Sequence, residues 1–461
     1  MRLARDLQVR DAAKRRAAAE ELSQADERAV YPLIKALRDE DAGVQDAAMR
    51  SLISIGGETT AYMVLPLLRE DSYLRNTAIL ILRDIGSAAA PLLYPLLKDK
   101  DGDIRKFAID LLTEIRDGVL PEKICPHLSD PNPNVRASAA RSMGLLGYRE
   151  AVPALIRALS DEEWVCFSVL EALGELQDEN AAGAVAGLLS AGPGPLRYAA
   201  VEALGKIGSP GSIEALTEHF AKADVLEKSS VVKSLLRLGV APSMPGVTEE
   251  LLKMLASDDW DDKITGLRGL SELKVSSAMN AVLDAGGSLD PSEPESEERL
   301  LLVRRALMGF GCIDALIAAL YDPSVRYRGR VIAVNVIGDL RCREAVPHLL
   351  QLLEHDVRDV RRASIEALSD IDGAEVRKVL ISAVDDYDSH VRKAAVTALG
   401  KIGDKTGFAP IIGLLRGEQY TDVIEEAVRA LFAIDRERFL EQLDEFGGPV
   451  RDVAGWVEGA A

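Results

Sequence analysis

Apolar positions in this chain fall three and four residues apart in short runs, and the runs recur about every thirty residues. Val391–Gly403 shows the pattern most clearly: Val-Arg-Lys-Ala-Ala-Val-Thr-Ala-Leu-Gly-Lys-Ile-Gly. Val391, Ala395, Ala398, Leu399 and Ile402 lie on one helical face. Gly403 is placed to end the helix, because glycine takes the left-handed conformation at low cost. With Leu399 as anchor, equivalent positions are Leu52, Leu82, Leu112, Met143, Leu173, Leu204, Leu235, Leu270, Leu307, Ile337, Leu368 and Leu431. Successive anchors are 30 to 37 residues apart. Two echoes fix the register. Ala-Leu-Gly-Lys-Ile-Gly occurs at Ala203–Gly208 and Ala398–Gly403, and Arg-Glu-Ala-Val-Pro at Arg149–Pro153 and Arg343–Pro347.

Each repeat has two halves. The first is typified by Ala151–Leu159, with Pro153 where a first-turn proline costs no hydrogen bond. An acidic turn follows, such as Ser160–Glu163 or Asp130–Asn134, whose Asp and Asn can cap the next helix. The anchor run is the second helix. One such hairpin cannot bury its apolar face alone, so the pattern predicts an array. The expected fold is all-α: an α-solenoid of about thirteen helical hairpins.

The repeats resemble HEAT repeats and, more narrowly, the short bacterial and archaeal kind named after phycobilisome lyases. The resemblance rests on the Val-Pro-x-Leu-Ile segments, the turn Asp and the Ala-Leu-Gly endings. It rests also on the pairs Val135-Arg136, Val360-Arg361 and Val391-Arg392. It spans roughly residues 25–435. It implies that the second helices line the inner face. For function it implies an adaptor, a lyase subunit or a regulator.

The expected organisation is a capping helix over 1–24, regular repeats over 25–240, and irregular repeats over 241–311. Regular repeats follow over 312–435, with a C-terminal cap over 436–461. Leu3, Leu7 and the alanines from Ala12 to Ala19 suggest the first helix, made basic by Arg2, Arg5, Arg10, Lys14, Arg15 and Arg16. It reads as a polar cap rather than a membrane-surface helix. Pro242, Pro245 and Gly246 interrupt the pattern, and 286–298, acidic with two prolines, reads as a solvated loop. Trp456 is expected to cover the last core edge.

Composition narrows the function classes. The 461 residues are 48% hydrophobic but only 5% aromatic, and the net charge is −19. That charge opposes general nucleic-acid binding, which needs phosphate-neutralising cations. No run reaches the ~18–20 apolar residues of a membrane span, nor is there an export signal, so a cytoplasmic protein is expected. The four cysteines, Cys125, Cys166, Cys312 and Cys342, form no Cys-x-x-Cys and read as thiols.

Reactive constellations are missing from the sequence. His127, His219, His348, His355 and His390 form no His-Glu ligand pair, and no phosphate or dinucleotide fingerprint occurs. No catalytic group, metal or cofactor is therefore expected. Asp130 with Arg136 exemplifies an Asp/Arg series, continued by Asp161, Asp322, Arg105 and Arg392. Its recurrence predicts ion pairs between layers rather than catalysis. Binding residues should instead break the pattern in register. Two residues before the anchor stand Glu171 and Glu202, then Lys233, Arg268 and Arg305. Arg326, Arg328 and Arg330 with Tyr327 mark a turn two residues longer than Asp130–Arg136. Trp164 and Trp260 follow acidic turns and are either contact anchors or core. The expectation is a non-catalytic scaffold or adaptor that binds a protein or peptide, an acidic one at the basic positions. A bilin lyase-like subunit and a signalling adaptor, as in chemotaxis, are the alternatives.

Overall fold

The computed structural model describes residues 5–240, 243–371 and 373–460. These residues are helical hairpins, with no strand among them, and form the α-solenoid expected. The second helices are α1 (Ala42–Ile55), α2 (Ser72–Ile85), α3 (Gly102–Ile115), α4 (Pro133–Leu145), α5 (Glu163–Leu176), α6 (Gly194–Ile207) and α7 (Val225–Arg237). They continue as α8 (Trp260–Glu272), α9 (Ser296–Phe310), α10 (Tyr327–Asp339), α11 (Arg358–Ile371), α12 (Ser389–Ile402) and α13 (Thr421–Gln442). The chain divides into two compact units, residues 1–240 and 241–461. In the first, α1 to α7 pack consecutively; in the second, α8 to α13 do.

Every anchor is at most 1% exposed, so the thirteen positions form the spine of the two cores. Around each anchor the backbone repeats as well. Four residues after it, φ is positive in eleven of the twelve layers where that position is described, seven times at glycine. The other four carriers are Arg116, Gln177, Lys274 and Arg341. One residue after the anchor, glycine has a different task. A Cβ on Gly144 would lie 2.7 Å from Ala172 Cα, on Gly338 2.8 Å from Ala367 Cα, and on Gly400 2.8 Å from Ala430 Cα. The Ala-Leu-Gly phrase is thus a seam where one helix backbone meets the alanine of the next layer.

Three expectations need correction. The N-terminal element is a helix over Ala12–Glu21 that packs on α1 as another second helix would. Leu22, thirty residues before Leu52, is buried, and Ser51 Oγ donates to Ala19 O at 2.7 Å. It is half a repeat, not a separate cap; Arg2 and Leu3 lie outside the described residues, as does Pro242. The acidic loop is shorter than 286–298. Gly286 and Gly287 end the helix Met279–Gly287, and Ser296 already opens α9. Gly287 belongs there because a Cβ on it would lie 3.0 Å from Gly329 N. Finally, Trp456 is exposed, stacked with Arg429, while Phe439, Phe446, Val450 and Ala454 close the last layer.

Candidate binding surfaces

The Asp/Arg series is a ladder of ion pairs between neighbouring layers. Seven residues before the anchor, an arginine grips the acid of the next turn. The pairs are Arg15–Asp39 at 2.8 Å, Arg105–Asp130 at 2.6 Å and Arg136–Asp161 at 2.6 Å in the first unit. In the second they are Arg361–Asp386 at 3.2 Å and Arg392–Glu418 at 2.8 Å. Each of these arginines also donates through Nη1 to carbonyls of its own turn, as Arg136 does to Asp130 O at 3.0 Å. Hydrogen bonds from Arg15 and Arg136 hold the Asp39 and Asp161 carboxyls below their ordinary range. A group so repeated is structural.

The ladder's gaps are more informative. In α5 the arginine is replaced by Cys166, whose thiol faces Leu159 O at 3.3 Å and Asp161 O at 3.4 Å. Burial raises its pKa, so it is not an activated nucleophile. In α9 the arginine is replaced by Leu300, and Asp322 turns instead to Asn280 Nδ2 at 2.7 Å. In α10 the arginine is present, but the acid is not. Arg330 Nη1 meets His355 Nε2 at 3.5 Å, and Arg330 Nε is buried without a partner. The longer turn is the reason its Nη2 reaches back to Asp322 O, at 2.9 Å. All four cysteines are free thiols. Among the described residues no His/Cys/Asp/Glu group is arranged to hold a metal, nor is any helix long and apolar enough to cross a membrane.

On the first unit, Glu171, Glu202 and Lys233 stand on the consecutively packed helices α5, α6 and α7. Both glutamates are exposed; Lys233 is half-buried and has a partner. Four residues earlier in each helix stand Phe167, Tyr198 and Ser229. Three residues earlier still come Trp164, Pro195 and Leu226. Trp164 is 41% exposed, Phe167 38%, Tyr198 45% and Leu226 79%. Trp164 donates from Nε1 to Glu162 at 3.1 Å and is a surface residue. The aromatic row escaped the sequence reading, which followed a single register. The signal was available: in the first unit that register otherwise holds Asp46, Asn76, Lys106, Ala137 and Ser229.

On the second unit, Arg268 is exposed and bound to Glu272 at 2.8 Å, while exposed Arg305 has no ion pair among the described residues. Trp260 is half-buried, with the Arg299 guanidinium 4.9 Å from its ring centre. Tyr327 to Arg330 form the first turn of α10 rather than a loop. Arg326 lies 3.5 Å from Asp284. Arg328 donates to Leu289 O at 3.1 Å and Tyr327 Oη at 3.2 Å, both neutral. Where Leu300 breaks the ladder, an open groove of about 490 Å³ is lined by Leu289, Leu300, Val331, Ile332, Arg328 and Arg362. Glu297 and Asp359 also border it. A second groove of about 450 Å³ runs along α11 and α12 and shares Arg362.

The HEAT-repeat family model, described as HEAT repeats, matches residues 6–83, 121–196, 168–236, 313–381 and 358–432, well over half of the chain. The chain belongs to the HEAT-repeat family. The match speaks for HEAT repeats at large and does not reach the narrower phycobilisome-lyase kind. No curated protein matches the sequence. Among solved structures, the chain is similar to yeast importin-β (Kap95p) with RanGDP. Identity is 12%, the TM-score 0.54, and 96% of this chain and 74% of that one are covered. An importin-β crystal structure follows at 14% identity and TM-score 0.48, covering 94% and 77%. The karyopherin Kap121p, bound to the extreme C-terminus of the phosphatase Cdc14p, follows at 14% and 0.45, covering 98% and 54%. At 12% identity the likeness to the first of these is one of fold alone.

Proposed function

We propose that the protein is a non-catalytic scaffold that holds a segment of another protein along the second helices of its second unit. The observation that carries this reading is the pair of adjoining grooves joined at Arg362. The first offers apolar Leu289, Leu300, Val331 and Ile332, enough for one large side chain. Leu300 matters most, because an arginine there would fill the space with a ladder pair. Arg328 has no carboxylate within 4.0 Å among the described residues. Arg362 has a single one, Glu366, at 3.9 Å. One guanidinium paired to no acid and one with a single distant acid, in a chain of net charge −19, can receive carboxylates. The favoured occupant is therefore a segment with an apolar residue beside Asp or Glu. Arg305 and Arg268 would extend the same preference along α9 and α8.

Selection of displayed peptides on the full chain tests this. Enriched peptides should share an apolar–acidic pair. Their affinity should fall about tenfold or more for the Arg328→Glu/Arg362→Glu variant, the loss expected of two charge-assisted contacts. Peptides that bind the variant equally well, or no enrichment at all, would sink the reading.

A further inference from the structure

The face of α5, α6 and α7 has a different chemistry, and it stands apart from the groove reading. Its three rows are set by register: Trp164, Pro195 and Leu226; then Phe167, Tyr198 and Ser229; then Glu171, Glu202 and Lys233. Two aromatic rings in consecutive layers are exposed in a chain with only 5% aromatic residues. Exposed rings of this kind serve as contact anchors. Glu163, Glu171 and Glu202 flank them, and none has a basic group within 4.0 Å among the described residues. Glu175, one turn beyond Glu171, holds Lys206 at 2.6 Å instead. Aromatic faces with uncompensated carboxylates beside them attract cations on both counts.

We infer that this face docks a basic segment of a partner protein, with lysine or arginine side chains laid over Phe167 and Tyr198 and against Glu171 and Glu202. The spacing follows from the fold. Packed helices lie ~8–10 Å apart, and a peptide in the polyproline-II conformation advances ~3.1 Å per residue with three residues per turn, so residues three apart share a side. Cationic residues three apart therefore meet successive layers. Trp164 and Leu226 border the cationic track with apolar surface, so apolar residues between the cations are accommodated. The acidic row holds two carboxylates, on α5 and α6, and α7 carries Lys233 in their register, so the track spans two layers.

The test uses the full chain with Trp260→Phe and Trp456→Phe, so that Trp164 alone reports by fluorescence. The probe is a short serine–glycine peptide with lysine at every third position. A peptide of equal composition with contiguous lysines, and one with glutamate for lysine, are the controls. Spaced lysines should bind several-fold tighter than contiguous ones, and the glutamate peptide should not bind. Phe167→Ala/Tyr198→Ala should weaken binding about tenfold, two exposed cation–π contacts being lost. Glu171→Gln/Glu202→Gln, isosteric and harmless to the fold, should weaken it similarly and flatten its salt dependence. Arg328→Glu/Arg362→Glu should leave it unchanged, which separates this proposal from the groove. Binding unchanged in the glutamine variant, equal binding of the glutamate peptide, or equal binding of contiguous lysines would overturn it.

Discussion

His355 stands where the ladder has an acid, and it does half of the acid's work. Its Nδ1 accepts Val357 N–H at 3.0 Å, as Asp130 Oδ1 accepts Asn132 N–H at 2.9 Å. The neutral ring then carries its proton on Nε2, facing the Arg330 guanidinium. Burial, then Arg330, and Arg361 beyond it, lower the His355 pKa, while Asp356 opposes them. The group is thus neutral when folded and titrates near ~6.5 when unfolded. Its contribution to stability is full above that value and is lost as pH falls through it toward the lowered folded pKa. His355→Asp should restore the pair with Arg330 and raise stability at neutral pH by ~1.5–3 kcal/mol, the range for hydrogen bonds to charged groups. Thermal melts at pH 7.5 and 5.5 check both parts. The variant should melt higher, and its midpoint should fall less between the two. A variant that melts lower at neutral pH would show that the longer turn before Arg330 cannot accept a carboxylate.

At the scale of the element, the seam glycines decide how closely layers approach. A methyl on Gly338 would stand 2.8 Å from Ala367 Cα, with backbone behind it and nothing flexible to give way. Gly338→Ala should therefore cost ~1–3 kcal/mol, the usual penalty of overpacking. Gly413, in the helix Phe408–Leu415, has nothing within 4 Å of the same methyl. Gly413→Ala should be neutral or stabilising by up to ~1 kcal/mol, because alanine favours the helix. Chemical denaturation of the two variants makes the comparison; equal effects would mean the seam relaxes freely. These elements show what sequence periodicity carries. Anchors were legible because burial imposes a helical period on residue type. Gly400 was not legible as a seam, since a glycine near a helix end reads equally as a stop. Gly286 and Gly287 were misread as a turn for the same reason: glycine marks either free rotation or close approach. Phe167 and Tyr198 sit within three residues of buried Cys166 and Val201 in sequence, and a helical stripe does not reveal where its edge leaves the core. Arg328 and Arg330 were legible as unusual, but what each meets depends on residues thirty-nine and twenty-five positions away.

At the scale of the whole chain, stability is close to a sum over layers and the interfaces between them. Glycine after the anchor meets alanine before the next anchor at one register, so a layer can follow a copy of itself. Inserting a second copy of Gly174–Leu204 directly after Leu204 should give a folded protein with proportionally more helix by circular dichroism and an undiminished melting midpoint. A lowered midpoint or lost cooperativity would show that these layers are individually matched. The interface between α9 and α10 is one of those that lack a rung, here because of Leu300. A ligand seated there would act as a clasp across two layers. Its binding energy would then be drawn partly from closing a join that has no ion pair of its own, so occupancy would slow amide exchange in both helices at once, and the scaffold would be held together in part by what it carries.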